Sequence, residues 1–258
     1  MVRIEGLEKR FGFQHVLKGV TLAFPRGKTT VVLGPSGCGK SVMLKHLVGL
    51  LKPDRGRIYF EDQRIDTLAE HQLGPIRRRF GFLFQQGALF DSMSVGDNVR
   101  FPLREAGVPD DEWSIQRVRH VLNMVGLEQS IDKMPAELSG GQQKRVALAR
   151  AIVLEPQVIL YDEPTTGLDP IRSDVINELI LKLARQLEVT SIVVTHDLAS
   201  AFKVADRMVM LHEGHVILEG LPEEFRKATD PVVRRFLRGE ASDEELAAIR
   251  AAGTPRRS

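Results

Sequence analysis

The segment "GPSGCGKS", Gly34 to Ser41, has the spacing of a phosphate-binding loop, in which Gly-x-x-x-x-Gly precedes Lys and then Ser or Thr. Glycines at these positions let successive backbone N–H groups curl around an anion. Lys40 would reach the β- and γ-phosphate oxygens, and the Ser41 hydroxyl would bind Mg²⁺. We therefore expect nucleotide phosphates to be held by the loop and the residue after it: Gly34, Pro35, Ser36, Gly37, Cys38, Gly39, Lys40, Ser41 and Val42.

The single cysteine of the chain, Cys38, lies inside this loop. We interpret it as a small residue that fills space. The alternative is a reactive thiol, because a position near a helix N-terminus lowers the pKa of a cysteine. One cysteine excludes an internal disulfide and is typical of a protein in a reducing compartment.

Two adjacent carboxylates end the apolar segment "VILYDEP". Successive side chains of a strand point to opposite faces, so Asp162 and Glu163 are expected to have different roles. Asp162 suits the coordination shell of Mg²⁺, and Glu163 can accept a proton from an attacking water. The alternative is that the pair only caps the helix that follows.

A histidine follows another apolar segment, in "VVTHD". Lone histidines are usually structural, but His196 is predicted at the carboxyl end of a parallel strand, where open α/β sheets bind ligands. We therefore expect His196 beside the γ-phosphate, as a residue that takes part in hydrolysis.

The stretch "ELSGGQQKRVALARA" predicts a helix whose first turn contains Ser139, Gly140 and Gly141. Glycine inside a helix costs about 1 kcal/mol relative to alanine, so its use here indicates that another group approaches the backbone closely. Free N–H groups at a helix N-terminus attract anions. No lysine lies beside these glycines to complete a phosphate site, and the motif by itself leaves open whose anion it binds.

The elements that must position these residues follow an α/β pattern. Short alternating segments at the start of the chain, separated by Gly and Pro, are typical of antiparallel strands. "TTVVLG" predicts a strand buried on both faces, and it leads into a helix with an apolar stripe at Met43, Leu44 and Leu47. From "QVILYD" onward strands and helices alternate, which predicts a parallel sheet covered by helices.

Between these two parts the pattern is helical, from about Asp91 to Ala151. One predicted helix carries Ile115, Val118 and Leu122 and ends at Gly126. We therefore expect a helical lobe inserted between strands.

Composition restricts the class of protein. The chain has 258 residues, of which 43% are hydrophobic and 27% charged, as in soluble globular proteins. A formal net charge of +2, with acidic and basic residues interleaved, disfavours nucleic acid as a partner. No apolar run reaches the ~18 residues of a membrane span, and the first residues lack the apolar core of a signal peptide. We expect a cytosolic chain, attached to a membrane at most through another subunit.

Together with the phosphate loop, "YDEP", "TTGLDP" and "VVTHD", the turn "LSGGQ" resembles the signature of the ATP-binding cassette (ABC) ATPases. The resemblance covers nearly the whole chain, with the motifs in the family's order. It implies an α/β fold: a P-loop NTPase (RecA-like) core with an N-terminal antiparallel β subdomain and an inserted α-helical subdomain. The ATPase domain would span residues 1–239, its helical subdomain about 91–155, and a C-terminal extension 240–258.

In this family two cassettes bind head to tail, and the signature of one chain closes over the ATP held by the phosphate loop of the other. The resemblance therefore implies a second copy of the chain as partner, and it accounts for the missing lysine. Ser139 and Gly141 would contact the partner's γ-phosphate, with Gly140 and Gln142 in the same turn. Asp169 of "TGLDP" would act across the interface.

Two further roles are implied by the same resemblance. Gln85, at the end of the predicted strand "FGFLFQ", would sense Mg²⁺ and the attacking water and link them to the helical lobe. Phe11 would stack on adenine, since an aromatic face contributes roughly 0.5 to 1.5 kcal/mol beyond burial. The alternative for Phe11 is a core phenylalanine of the N-terminal sheet.

Within the family, "FQQGALFDSMSVGDNVRFPLRE" and "DPVVRRFLRG" resemble the ATPase subunits of the Mla-type, Mce-associated lipid transporters. This resemblance implies movement of phospholipid between bacterial membranes, with an integral membrane permease and an Mce-type lipid-binding protein as partners. The ATPase would sit peripherally on the cytoplasmic side of the inner membrane. Gln142 departs from the pattern, because these relatives often carry Met there.

Two alternatives follow from shared motifs. Polar amino-acid importers also carry "LSGGQQ" and "DEPTTGLDP", and a soluble cassette could drive iron–sulfur cluster assembly without a permease. Leu89, Phe90, Met93 and Val95 favour a transporter, because they supply apolar side chains where a groove for a permease helix is needed. Their alternative role is ordinary packing of the helical lobe.

The C-terminal extension contains a second helix signal. Ser242 and Glu245 form a capping box and Gly253 a stop, which predicts a short helix from about Asp243 to Ala252. We expect it to dock on the partner cassette or on another subunit, because so short a helix is marginal alone in water.

Overall fold

Two β-sheets organise the chain in the computed structural model, which describes residues 1–241 and 246–247. The strands are β1 (Val2–Phe11), β2 (Gln14–Phe24), β3 (Thr29–Leu33), β4 (Arg55–Phe60), β5 (Gln63–Arg64), β6 (Phe80–Leu83), β7 (Val158–Asp162), β8 (Thr190–Thr195), β9 (Arg207–His212) and β10 (His215–Gly220). The α-helices are α1 (Lys40–Leu47), α2 (Glu70–Arg77), α3 (Val95–Glu105), α4 (Glu112–Met124), α5 (Gly140–Ile152), α6 (Pro170–Leu187), α7 (Leu198–Val204), α8 (Pro222–Arg226) and α9 (Pro231–Arg238). Short 3-10 turns lie at Glu128–Ser130 and Pro135–Glu137.

The first sheet is antiparallel, with strand order β2-β1-β4-β5. Its buried face includes Ile4, Leu7 and Leu22, while the residues between them along the strands are more exposed. This half-buried alternation is what an antiparallel sheet with one solvated face requires, and it confirms the expected N-terminal antiparallel region.

The second sheet has the order β10-β9-β3-β8-β7-β6 and is parallel apart from β10, which runs antiparallel to β9. Every residue of β3, β7 and β8 is buried, as expected when helices cover both faces. The register pairs Leu33 with Thr195 and Asp162 with Val194. The carboxyl ends of three strands therefore lie side by side, and the residues that follow them meet at one edge of the sheet.

The middle of the chain forms the helices α3, α4 and α5. Val99, Val118 and Val146, one from each helix, are fully buried in a cluster that also contains Leu83 of β6. α5 packs on both α3 and β6, so the position of this helical part is tied to the parallel sheet. The three helices lie within the expected 91–155 segment; the domain boundaries themselves stay predictions.

Most of the predicted helix from Asp243 to Ala252 lies outside the described residues; Leu246 and Ala247 are helical. None of the helices in the described part of the chain has the length and hydropathy needed to cross a membrane.

Candidate nucleotide site

The loop between β3 and α1 requires glycine at two positions, 34 and 39. A Cβ on Gly34 would lie 2.2 Å from the carbonyl oxygen of Leu211, and a Cβ on Gly39, which has φ of 108°, would lie 2.7 Å from Leu17 Cδ2. Gly39 is the N-cap of α1, and no side chain caps the helix. The first N–H groups of α1 are therefore free to bind an anion.

Lys40 is buried within this loop. Its Nζ donates hydrogen bonds to the carbonyl oxygens of Gly34 at 2.7 Å and Pro35 at 3.0 Å. The same ammonium lies 3.6 Å from Oε1 of Glu163. The loop thus holds a positive charge at its centre, next to the carboxylate predicted to act as base.

Ser41 and Asp162 form the pair predicted to hold Mg²⁺. The Ser41 hydroxyl donates a hydrogen bond to Oδ1 of Asp162 at 2.7 Å. Burial raises the pKa of Asp162, and the bond from Ser41 offsets part of that rise. A cation beside this carboxylate would favour its charged form.

The composition of the site suits magnesium. Among the described residues no group of three or more His, Cys, Asp and Glu side chains could hold a metal. Mg²⁺ is usually bound through one or two carboxylates, waters and substrate phosphates rather than by a cage of protein ligands. The Ser41 and Asp162 oxygens fit that kind of site.

Glu163 lies just beyond β7, in a left-handed backbone conformation with φ of 49°. We expected alternation along one strand to give Asp162 and Glu163 different roles. That reason was wrong, because the strand ends at Asp162. The two carboxylates do have different partners. The alternative that they cap the next helix is also wrong, since Asp169 caps α6.

Oε2 of the Glu163 carboxylate has three neighbours, in addition to the Lys40 ammonium near Oε1. Nδ1 of His196 lies 2.9 Å from Oε2, and the hydroxyls of Thr166 and Thr195 donate to the same oxygen at 3.3 Å. The His196 ring is 52% exposed, whereas the Glu163 side chain is 9% exposed. The base candidate is thus fixed in a buried position, and the histidine covers it from the solvent side.

A cavity of about 490 Å³ brings together most of the predicted nucleotide residues, although Gly34, Pro35, Cys38 and Asp162 do not line it. It is lined by Phe11, Gln14, Val16, Ser36, Gly37, Gly39, Lys40, Ser41, Val42, Gln85, Glu163 and His196. Phe11 is 46% exposed, so the alternative of a core phenylalanine is wrong. Gln85 lies two residues past the end of β6, not at the strand end as predicted.

Cys38 is 8% exposed, and burial raises the pKa of its thiol although the nearby Lys40 opposes this. A raised pKa disfavours the thiolate, which is the reactive form. These observations favour the interpretation of Cys38 as a filler.

The signature residues lie elsewhere. Ser139 is the N-cap of α5, and its Oγ is 3.4 Å from the Gln142 N–H, long for a hydrogen bond. A Cβ on Gly140 would have Leu168 as its nearest neighbour at 4.0 Å, and a Cβ on Gly141 would meet only the Arg172 side chain, at 3.5 Å. Both are ordinary contacts, so nothing in the described chain requires glycine here.

Of the described residues, the ones predicted to act across a dimer form a second group that does not line the cavity: Ser139, Gly140, Gly141, Gln142 and Asp169. Asp169 accepts a hydrogen bond from the Arg172 N–H and lies 3.2 Å from the Arg172 guanidinium, whose side chain also borders Gly141. The structure therefore separates the signature group from a cavity group, which consists of the cavity-lining residues together with Asp162, the partner of Ser41.

Residues 17–166 match the sequence profile of the family described as ABC transporter. The chain belongs to the ABC transporter family. The predicted fold class is confirmed, and the chain is an ATP-binding ATPase of that family.

Individual ABC proteins resemble this chain over most of its length. It is 44% identical over 238 residues to the probable ribonucleotide transport ATP-binding protein mkl of Mycobacterium leprae, covering 92% of this chain and 69% of that protein. The coverage falls to 66% of the M. bovis and M. tuberculosis counterparts. The chain is 41% identical over 241 residues to the intermembrane phospholipid transport system ATP-binding protein MlaF of Haemophilus influenzae, covering 93% and 91% of the two chains.

A solved structure gives the same family. The dimeric post-hydrolysis state of the ATP-binding cassette MJ0796 bound to ADP and Pi superposes with a TM-score of 0.78. It is 35% identical in sequence and covers 86% of this chain and 99% of that one.

Sequence reasoning missed several residues of this ABC site. Thr166 and Thr195 contact Glu163, and Lys144 of α5 donates to the carbonyl oxygens of Gln85 and Glu163. Thr166 and Thr195 each lie within three residues of a predicted catalytic residue, which was a usable signal. Lys144 carried no such signal.

Proposed function

We propose that this ABC ATPase powers a membrane transporter that moves phospholipid between bacterial membranes. The observation that carries the proposal is the 41% identity to MlaF, which extends over 91% of that protein. The mkl relative is named for ribonucleotide transport and provides a second candidate substrate, but the chain covers only 69% of it. Reconstitution of the purified complex in vesicles, with ATP-dependent movement of labelled phospholipid and of labelled ribonucleotide measured separately, distinguishes the two.

Hydrolysis would proceed at the cavity group. Lys40 and the free N–H groups of α1 bind the phosphates, while Ser41, Asp162 and Gln85 are the candidates to hold Mg²⁺. Mg²⁺, when bound there, would neutralise part of the phosphate charge. Glu163 accepts the proton of the attacking water, and its bond to His196 keeps the carboxylate oriented.

The working unit would be a head-to-tail dimer of two copies. The glycines of the signature turn are unexplained by packing within the chain, which supports the close approach of a group from outside. In the dimer, the turn from Ser139 to Gln142 would close over the partner's nucleotide, and Asp169 would contact the partner. The dimeric state of the MJ0796 structure is consistent with this arrangement.

An integral membrane permease would dock in an apolar groove beside residues 85–88, here called the Gln85 loop. The groove has a volume of about 550 Å³, and its walls include Phe82, Phe84, Phe90 and Phe101. The Phe82 and Phe84 rings stack at 4.1 Å, and the Phe90 and Phe101 rings meet at 4.7 Å. Phe90 is 40% exposed.

Only part of the predicted apolar set serves such a groove. Val95 is fully buried in the core, so the packing alternative holds for it. Leu89 and Met93 are half-buried and do not line the groove in the described chain. Of these four residues, Phe90 is the one that lines the groove and supports the permease site. Through the permease the ATPase would sit on the cytoplasmic side of the inner membrane, with an Mce-type lipid-binding protein as a further partner and no nucleic acid.

Phe90→Asp is expected to lower recovery of the ATPase with its integral membrane subunit by at least about tenfold, because the change removes an aromatic anchor from the groove and puts a charge in its place. The measurement is co-purification from detergent-solubilised membranes. Trp113→Asp is the control, since Trp113 is a 57% exposed aromatic residue that does not line the groove. Equal recovery of the Phe90→Asp and wild-type complexes would remove the groove from the proposal.

Lys40→Ala is expected to weaken ATP binding about 10- to 100-fold, the value of hydrogen bonds to a charged group. Equilibrium dialysis of the purified chain measures this directly. Lys28→Ala is the matched control, because its exposed ammonium lies outside the cavity and 4.0 Å from Asp206. Wild-type affinity in Lys40→Ala would contradict the role given to the loop lysine.

A further inference from the structure

Lys144 lies in the second turn of α5, the helix that begins with the signature glycines, and is only 6% exposed. Burying an ammonium group is unfavourable unless it is paired or hydrogen-bonded. Burial accordingly lowers the pKa of Lys144, while the charges of Asp162 and Glu163 oppose the shift. A lysine is thus unfavourable as a filler of this space, and the contacts of its ammonium group explain why it is present.

The ammonium group joins two loops. Nζ of Lys144 donates hydrogen bonds to the carbonyl oxygen of Gln85 and, at 3.4 Å, to that of Glu163. Within residues 1–241 and 246–247 Lys144 takes part in no ion pair, so its partners are main-chain groups. One side chain of α5 therefore hydrogen-bonds the Gln85 backbone and, through a longer contact, reaches that of Glu163, the two residues proposed to handle the attacking water.

A lysine is well suited to this contact. Three N–H donors leave a single atom, so carbonyl groups from different directions can be bound at once. Hydrogen bonds from a charged donor are also roughly twice as strong as neutral ones. Replacement by a neutral side chain would leave at least one of the two carbonyls without its partner.

A second cation of α5 holds the other end of the same loop. The Arg150 guanidinium donates to the carbonyl oxygens of Gly87 at 2.7 Å and Ala88 at 2.8 Å. Arg150 also lies 5.7 Å from the centre of the Phe90 ring and lines the apolar groove. The Gln85 loop is therefore fastened to α5 on both sides, and a displacement of α5 relative to the sheet must act on it.

We propose that Lys144 is a positioning residue for hydrolysis: it holds the Gln85 loop and the Glu163 turn in a fixed relation to the signature helix. The inference rests on the functions proposed above for Gln85 and Glu163. Lys144 does not line the nucleotide cavity of the described chain, so it acts on turnover and not on ATP binding.

The test compares Lys144→Met, which fills similar space without the charge, with Lys144→Arg, which restores a buried cation. In Lys144→Met we expect kcat to fall about 10- to 100-fold, the loss of a hydrogen bond to a charged group, with KM and the Kd for ATP unchanged. Circular dichroism and a thermal-unfolding scan establish that the variant is folded at the assay temperature. Lys144→Arg should recover most of kcat.

Lys182→Met is the matched control. Its Nζ also donates to a main-chain carbonyl oxygen, that of Met124 at 2.9 Å, but at an exposed site away from the cavity. It should keep the wild-type kcat. If Lys144→Met does not fold, Lys144→Gln takes its place, and the same fall in kcat is expected.

Three results would overturn the proposal: wild-type kcat in the Lys144 variant, a loss that appears as weaker ATP binding, or no recovery in Lys144→Arg. Glu163→Gln, assayed alongside, separates this inference from the proposed function. If Glu163→Gln is inactive and Lys144→Met is normal, only the role of Lys144 is wrong. If Glu163→Gln turns over normally, the hydrolytic site itself is wrong.

Discussion

Glu163→Gln is expected to bind ATP like the wild type and to hydrolyse it about 10²- to 10⁴-fold more slowly, the range attributed to a positioned general base. The amide has nearly the shape of the carboxylate, so its carbonyl oxygen can still accept hydrogen bonds from the threonine hydroxyls that hold Oε2. It cannot take a proton from water at neutral pH. The loss should therefore fall on kcat and not on ATP affinity.

Phosphate release and equilibrium dialysis measure the two quantities. The variant should also accumulate as an ATP-bound dimer in sedimentation, because the step that reopens the dimer is blocked. Glu155→Gln is the matched control, since Glu155 has a similar left-handed backbone, φ of 54°, and an exposed carboxylate paired with Arg117. Wild-type turnover in Glu163→Gln would end its assignment as the base.

Ser139→Arg and Lys40→Ala chains are each expected to lose at least about 100-fold in hydrolysis, as when a charge-stabilising group is removed from an active site. Mixed together, they should regain part of it. In a head-to-tail heterodimer one composite site carries both changes and the other carries neither. The physical basis is the separation of the signature residues from the cavity within one chain.

The mixing experiment needs proof that heterodimers form, which two different affinity tags provide. A mixture of Ser139→Arg with itself under both tags is the control and should stay inactive. Recovered hydrolysis in the heterodimer supports a shared site. Absence of recovery in proven heterodimers would rule out two sites that turn over independently.

Much of the fold and of the cavity could be predicted because the relevant signals are local. The phosphate loop is a contiguous motif between a strand and a helix, and parallel strands bring their carboxyl ends to one edge wherever they occur. Glu163 and His196 were therefore placed correctly at that edge, with 2.9 Å between them.

The errors arose where tertiary structure decides the outcome. Strand alternation did not anticipate the left-handed backbone of Glu163, because alternation holds only while the backbone stays extended. For Val95 the sequence left open a groove or ordinary packing, and the structure shows packing in the core, because an apolar residue of a helix does not reveal which neighbour covers it. Lys144 was overlooked because a lysine in a helix is usually solvated, and only the folded chain shows it between two loops.

The open backbone of the signature turn has a consequence for engineering. Alanine at Gly140 would meet no atom closer than 4.0 Å, so the substitution is sterically free in the single chain. Such a change typically adds about 0.4 to 1 kcal/mol by reducing the entropy of the unfolded state. A redesign for thermostability that scores one chain at a time would therefore select alanine here, in the turn that we propose closes over the nucleotide of a second chain. In the proposed dimer, heat resistance and turnover are opposed at this turn, and the conflict is invisible in a monomer.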